Sequence, residues 1–306
     1  YRRQRQMCIR DSIMVIVLKL IGVFPLKKNI KLYRVIQSIV NPKINNAEYI
    51  DYNLDGVNVR VFDPHKCQKL LIYIHGGGWV SGNLDTHSNI CYKLAKELNR
   101  KVISIDYRLA PEYPYPAGFN DCYKVIKHIM ANISEFGITW DDVIIMGDSA
   151  GGNLTFATSL KGFYERTFRA GKIILVYPAT QTDYSLTTKY KSVLTNDGKG
   201  FLTRKHLEDY LSMYLPSKEA YDDIYVNILK AKKLFGLPKT LIFTGTADPL
   251  HDEGVSLAKK LKRHLVSVKH YDLESAPHGY FTNILDKKYT KKTIELIKGF
   301  IGDIHE

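Results

Sequence analysis

Gly147-Asp148-Ser149-Ala150-Gly151 forms a G-x-S-x-G pattern. Three fixed residues of this kind recur by chance in roughly one chain in ten of this length. The setting gives the pattern its weight. It follows the apolar run Val143-Ile144-Ile145-Met146 and opens a helical periodicity at Ala150. A strand–turn–helix elbow of this kind holds a serine Oγ exposed at the strand end. The helix N-terminus behind it favours developing negative charge. Glycines suit the turn because side chains would collide there. An inert serine in a glycine-rich turn would share the pattern, so partners decide the matter. His75-Gly76-Gly77-Gly78-Trp79 follows the apolar run Leu70 to Ile74. Acyl transfer needs N–H groups aimed at an oxyanion, and glycines let the backbone come close. A nucleotide-binding glycine loop is the competing reading, but neither GxGxxG spacing nor a following Lys-Ser/Thr pair accompanies it.

A serine nucleophile needs a base, and the base needs an orienting acid. After an elbow of this type the acid and then the histidine follow in chain order. Asp248 lies just beyond the apolar run Leu241 to Phe243, and His278 lies in the loop after the next such run. Both fall at strand C-terminal ends, where an open α/β sheet builds its site. His251 is the main competitor for the base, but it is three residues from Asp248; Asp252 is the weaker competitor for the acid. His206, His264 and His270 fall in or near regular elements and are expected at the surface.

The elements that must position these residues are legible from periodicity. Helical patterns cover the N-terminal region as far as Pro42, which stops them. Tyr49–Leu54 and Val57–Val61 flank Asp55-Gly56 and predict a hairpin. Then strand and helix alternate. Strands are expected at Leu70–Ile74, Val102–Asp106, Val143–Met146, Ile173–Tyr177, Thr240–Phe243 and Val266–Leu273. Helices are expected after the Leu70–Ile74 strand to about Arg100, then at Ala117–Asn132, Ala150–Glu165, Val255–His264 and Thr290–Ile301. The alternation predicts an α/β fold with a mostly parallel, doubly wound sheet. Asp183 to Phe235 breaks the rhythm and reads as a helical insertion.

In order and in spacing these motifs resemble the hormone-sensitive-lipase group of α/β hydrolases, which includes bacterial carboxylesterases and acetyl esterases. HGGGW, GDSAGGNL, Asp106-Tyr107-Arg108-Leu109-Ala110-Pro111-Glu112 with Pro114 to Ala117, Asp248-Pro249-Leu250 and His278-Gly279 carry the resemblance, from about residue 45 to the end. It implies an eight-stranded, mostly parallel sheet with helices on both faces and a helical cap. The core would be 46–182 and 236–306, and the cap 13–45 and 183–235. It implies Ser149 as nucleophile, His278 as base and Asp248 as its orienter. It implies the N–H groups of Gly77, Gly78 and Ala150 as an oxyanion hole, with His75, Gly76 and Asp148 in support. Arg108 and Glu112 are expected to pin the proline-rich loop by a salt bridge.

Composition agrees with an ordinary globular chain: 306 residues, 45% hydrophobic and 25% charged, which excludes disordered, collagen-like and coiled-coil classes. Cys8, Cys67, Cys91 and Cys122 lie far apart with no CxxC pair, so free and mostly buried thiols in a reducing compartment are expected. Residues Arg2 to Ser12, RRQRQMCIRDS, back-translate without a gap into a transposase mosaic-end sequencing adapter and are expected to be non-native. Four arginines against Asp11 make that segment +3, so +10 of the +13 net charge remains. It is spread as lysines over amphipathic helices without a nucleic-acid signature. Ile13 to Phe24 is apolar but too short to span a bilayer.

The expectation is a serine hydrolase that cleaves short-chain carboxylic esters through an acyl-enzyme. An amidase or formamidase on the same triad is the alternative, and a non-catalytic ligand receptor on the same fold is the remote one. No cofactor and no metal are expected. The partner is a small-molecule ester, with no nucleic acid and no stable membrane anchor, in the cytoplasm; a homodimer is left open.

Overall fold

The computed structural model describes residues 26–45, 47–283 and 287–302. The adapter reading and the apolar run Ile13 to Phe24 lie outside them. Eight strands form one sheet: β1 (Ile50–Leu54), β2 (Val57–Phe62), β3 (Leu70–Ile74), β4 (Lys101–Asp106), β5 (Val143–Asp148), β6 (Lys172–Val176), β7 (Lys239–Gly245) and β8 (Val268–Leu273). Their order is β1-β2-β4-β3-β5-β6-β7-β8. The two pairings of β2 are antiparallel and all others parallel. The eight helices among the described residues are α1 (Leu26–Val40), α2 (Ser88–Glu97), α3 (Ala117–Ala131), α4 (Ala150–Glu165), α5 (Ser192–Thr195), α6 (Arg204–Tyr214), α7 (His251–Arg263) and α8 (Lys288–Ile301).

β3 and β5 are buried along their whole length, which is why they read as unbroken apolar runs. Alternate residues face opposite sides. Leu70, Ile72 and Ile74 join a core with Phe119 and Ile126 of α3 and Leu154 and Phe156 of α4. Leu71 and Tyr73 join a second core with Ile90 and Leu94 of α2 and Ile294 and Ile297 of α8. Helices therefore cover both faces. The parallel register aligns Ile74 with Gly147, Asp148 with Val176 and Gly245 with Leu273. The loops after β3, β5, β7 and β8 thus emerge along one edge of the sheet.

The segment between β6 and β7 is less helical than its pattern suggests. It holds α5, α6 and two 3₁₀ turns, at Glu219–Asp222 and Ile228–Lys230, joined by irregular chain. Thr203 caps α6 by accepting the His206 N–H at 3.1 Å, and Pro216 disfavours helical geometry at Leu215, where α6 stops. α1 and α6 meet through the hydroxyls of Tyr33 and Tyr210, 2.7 Å apart. α7 starts at His251, four residues before its apolar periodicity, because Asp252 and Glu253 suit a helix N-terminus.

Two expectations are corrected. Arg108 does not pair with Glu112. Its guanidinium donates twice to Asp121 of α3, at 2.8 Å each, while Glu112 accepts from Arg34 of α1. A spacing of four residues juxtaposes side chains on a helix, and this loop is not one; a carboxylate on a neighbouring element offers the planar fork instead. His206 is not at the surface but buried, its ring stacked on Tyr210.

Candidate active site

Ser149 sits between β5 and α4 with φ +54° and ψ −121°. Left-handed φ is costly for a residue with a Cβ, and the neighbours enforce it. Its N–H donates to the Val176 carbonyl at 2.9 Å, and its carbonyl accepts the Ala179 N–H at 3.2 Å. The flanking glycines are obligatory: a Cβ on Gly147 would lie 2.4 Å from the Gly151 carbonyl oxygen, and one on Gly151 would lie 2.1 Å from that of Ile74. The elbow is therefore pressed against β3 and cannot relax.

The three residues expected to act together are brought together. Ser149 Oγ lies 2.9 Å from His278 Nε2, and His278 Nδ1 lies 2.7 Å from Asp248 Oδ2. Asp248 is 1% exposed and accepts the Leu250 N–H through its other oxygen at 2.8 Å. A carboxyl group with both oxygens bonded in this way favours the histidine tautomer that leaves Nε2 facing the serine. The rings of Tyr177 and Phe201 flank His278 at 4.7 and 6.2 Å. A cleft of about 160 Å³ opens beside it, walled by Gln37, Val40, Phe201 and Tyr280. A larger hollow of about 680 Å³ lies along α7, lined by Lys189, Lys259, Lys260 and Arg263; it reaches none of these three groups.

His251 is engaged elsewhere. Its two ring nitrogens lie 2.9 Å from Asp252 and 2.9 Å from Asp272. Burial opposes its protonation, yet the two carboxylates outweigh burial and raise its pKa. Asp252 in turn accepts the Ser192 N–H at 2.9 Å.

The loop after β3 carries the candidate oxyanion donors. The N–H groups of Gly77, Gly78 and Ala150 have no hydrogen-bond acceptor among the described residues. Gly77 and Gly78 have φ +119° and +62°, and the Tyr210 ring lies flush against Gly78. Asp148 holds this loop to the elbow by accepting the Gly76 N–H at 3.0 Å and the Tyr73 hydroxyl at 2.7 Å on one oxygen. Burial raises its pKa against those two bonds. His75 donates from Nδ1 to the Gly76 carbonyl at 2.8 Å and stacks on Tyr107 at 4.3 Å. Burial lowers the pKa of His75 to about 3 and that of His87, beside it, to about 4. Both imidazoles are neutral at pH 7.

Arg34, Tyr107 and Glu253 contribute without having been assigned a part in the site from sequence. Arg34 of α1 donates to the Val80 carbonyl at 2.7 Å and the Ala110 carbonyl at 2.8 Å, which fixes the end of the β3 loop. Tyr107 donates to the His75 carbonyl at 2.9 Å. Glu253, fully buried, accepts the Thr180 N–H at 2.6 Å and the Gln181 amide at 2.8 Å; burial raises its pKa to about 8. Among the described residues, no group of three or more His, Cys, Asp or Glu side chains could hold a metal ion, and no helix is long and apolar enough to cross a membrane.

A family model described as alpha/beta hydrolase fold matches residues 71–282. Carboxylesterase NlhH of Mycobacterium tuberculosis is 33% identical over 236 residues, 74% of this chain and 72% of that protein. Arylacetamide deacetylase of Bos taurus is 28% identical, over 94% of this chain and 87% of that protein. The solved structure of a hyperthermophilic esterase from Pyrobaculum calidifontis superposes with a TM-score of 0.81 at 26% identity, covering 94% of this chain and 96% of that one.

Proposed function

The chain belongs to the alpha/beta hydrolase fold family, and from that premise we propose that it is a carboxylesterase acting on short-chain esters with Ser149 as nucleophile, His278 as general base and Asp248 as the orienting acid. The observation that carries the reading is the unbroken relay of 2.9 Å from Ser149 to His278 and 2.7 Å from His278 to Asp248.

In this mechanism Ser149 Oγ attacks the ester carbonyl carbon and passes its proton to His278 Nε2. The carbonyl oxygen becomes an oxyanion, held by the N–H groups of Gly77, Gly78 and Ala150. The intermediate collapses as the C–O bond to the alcohol breaks, and His278 returns the proton to the leaving oxygen. Water, deprotonated by the same histidine, then attacks the acyl-serine and frees the acid. Asp248 steadies the imidazolium. Of the cap expected at 13–45 and 183–235, the described residues 26–45 and 183–235 act as a cover over the cleft, a reading supported by the Tyr33–Tyr210 contact and by the shared cleft wall of Gln37 and Phe201. A cytoplasmic location fits the buried thiols of Cys91 and Cys122.

A panel of p-nitrophenyl esters of graded chain length, run beside aryl amides, tests the reading. Turnover is expected to peak between roughly two and eight acyl carbons, and Ser149→Ala is expected to abolish it. Turnover that survives Ser149→Ala, or emulsified long-chain triglyceride cleaved faster than a soluble butyrate ester, would overturn it. Amide hydrolysis is the second reading, supported by the similarity to a protein named arylacetamide deacetylase; preference for the anilides in the panel would select it.

A further inference from the structure

Asp248 sits in a loop, 246–250, that leads into α7 and whose two sides are held by different parts of the chain. On the inner side, Thr246 N–H donates to the Leu273 carbonyl at 3.0 Å and Ala247 N–H to the Ala276 carbonyl at 3.2 Å, both on the approach to His278. On the outer side the loop meets α5 and the residue after it. Asn196 donates both hydrogens of its amide to backbone carbonyls, those of Thr246 and of Asp248 itself, at 3.0 Å each. Its oxygen accepts from Lys199 Nζ at 2.7 Å, which orients the amide unambiguously. Ser192 Oγ donates to the Pro249 carbonyl at 2.8 Å and accepts the Asp252 N–H at 3.0 Å, while its own N–H reaches the Asp252 carboxylate at 2.9 Å. Ser192 and Asn196 are 4% and 5% exposed.

Five hydrogen bonds thus tie two nearly inaccessible residues to both sides of the acid, four to backbone groups and one to the Asp252 carboxylate. Water has little access to replace them, so each lost donor strands a buried acceptor. Five residues on, Phe201 packs against the His278 ring and against Gly279. One stretch of the insertion therefore touches both the acid loop and the histidine.

We propose that Ser192 and Asn196 are positioning residues that set the alignment of Asp248 with His278, so that the insertion tunes the reaction step itself and not only access to the cleft. The proposal rests on the triad reading above. A shift of about 1 Å in a supporting group can cost about 100-fold in rate.

The test measures kcat and KM for Asn196→Ala and Ser192→Ala with p-nitrophenyl acetate, butyrate and hexanoate, beside Asp248→Asn and the double variant Asn196→Ala/Asp248→Asn. Each single insertion variant is expected to lose about 10- to 100-fold in kcat, with KM little changed and the same factor for all three esters. The double variant is expected to be no slower than Asp248→Asn alone, because Asn196 acts through Asp248. Independent, multiplying losses would overturn the proposal. So would a loss that sits in KM or grows with acyl length, or a lowered Tm with kcat intact. Normal kcat in both insertion variants beside a dead Asp248→Asn would sink this proposal and leave the triad standing. An active Asp248→Asn would sink the triad reading first. If Asn196→Ala does not fold, Ser192→Ala, which deletes a single oxygen, carries the same comparison with a Ser192→Ala/Asp248→Asn double variant.

Discussion

At Ser149 one backbone torsion decides what a hydroxyl can do. The positive φ lifts Oγ off the sheet and toward His278, and Gly147 and Gly151 exist to allow it. Ser149→Ala is expected to lower kcat by about 10⁴-fold or more, because the attacking oxygen is gone while the oxyanion donors remain. Asp248→Asn is expected to cost on the order of 10³- to 10⁴-fold through the wrong histidine tautomer. His251→Ala is expected to leave most activity, since both its nitrogens face carboxylates outside the relay. Steady-state kinetics of His251→Ala beside His278→Ala decide between the two histidines as base; a dead His251→Ala beside an active His278→Ala would reverse the assignment. Ser149, Asp248 and His278, proposed above as nucleophile, acid and base, were legible because each stands at a strand end in a local pattern. Asn196, Tyr73 and His87 were not, since what they do depends on partners 50 or more residues away, or on burial, and no spacing along the chain encodes either.

At the scale of elements, strands and helices were placed to within a few residues wherever apolar periodicity was strong. The regular elements of the insertion are helical, as its pattern indicates, but Gly198, Gly200 and Pro216 break that pattern into short pieces. The ion pairs of the loop after β4 were misjudged because sequence distance is a poor guide to pairing outside a helix. Their correction has an energetic consequence. The Arg34–Glu112 pair is partly exposed on both sides, so its charge contributes about 0–1 kcal/mol. The bonds from Arg34 to the Val80 and Ala110 carbonyls are better sheltered, and the first ends at the candidate oxyanion loop. Glu112→Gln is therefore expected to shift Tm little, whereas Arg34→Ala is expected to cost about 1–3 kcal/mol and to lower kcat/KM. Thermal melts and kinetics on the two variants check this; equal losses would show that the ion pair itself is what matters.

Over the whole molecule, acid is expected to act through two buried imidazoles. His75 and His87 have folded pKa values of about 3 and about 4, both below their ordinary value of 6.5. The unfolded chain therefore binds more protons below pH 6.5. The stability these neutral rings retain is full above that pH and is lost as pH falls toward 4 and 3. Each ring contributes a slope of up to about 1.4 kcal/mol per pH unit within its window. Melting temperature measured from pH 7 to pH 4 is expected to fall steeply, and His87→Asn is expected to flatten that fall. An unchanged slope in the variant would assign the acid sensitivity to other groups.

The bonds of α1 run sideways, to Val80, Ala110, Glu112 and Tyr210, while its covalent link to the sheet is the short chain 41–49. The helix is in effect a peptide ligand kept near its receptor by a tether. The tether is itself pinned to α2, where Asn89 donates to the Pro42 carbonyl and the Ile44 N–H to Ser88, so attachment keeps the helix at its site. Cutting that linker would leave every contact available and convert a built-in part of the site into one whose occupancy depends on how much of it is present.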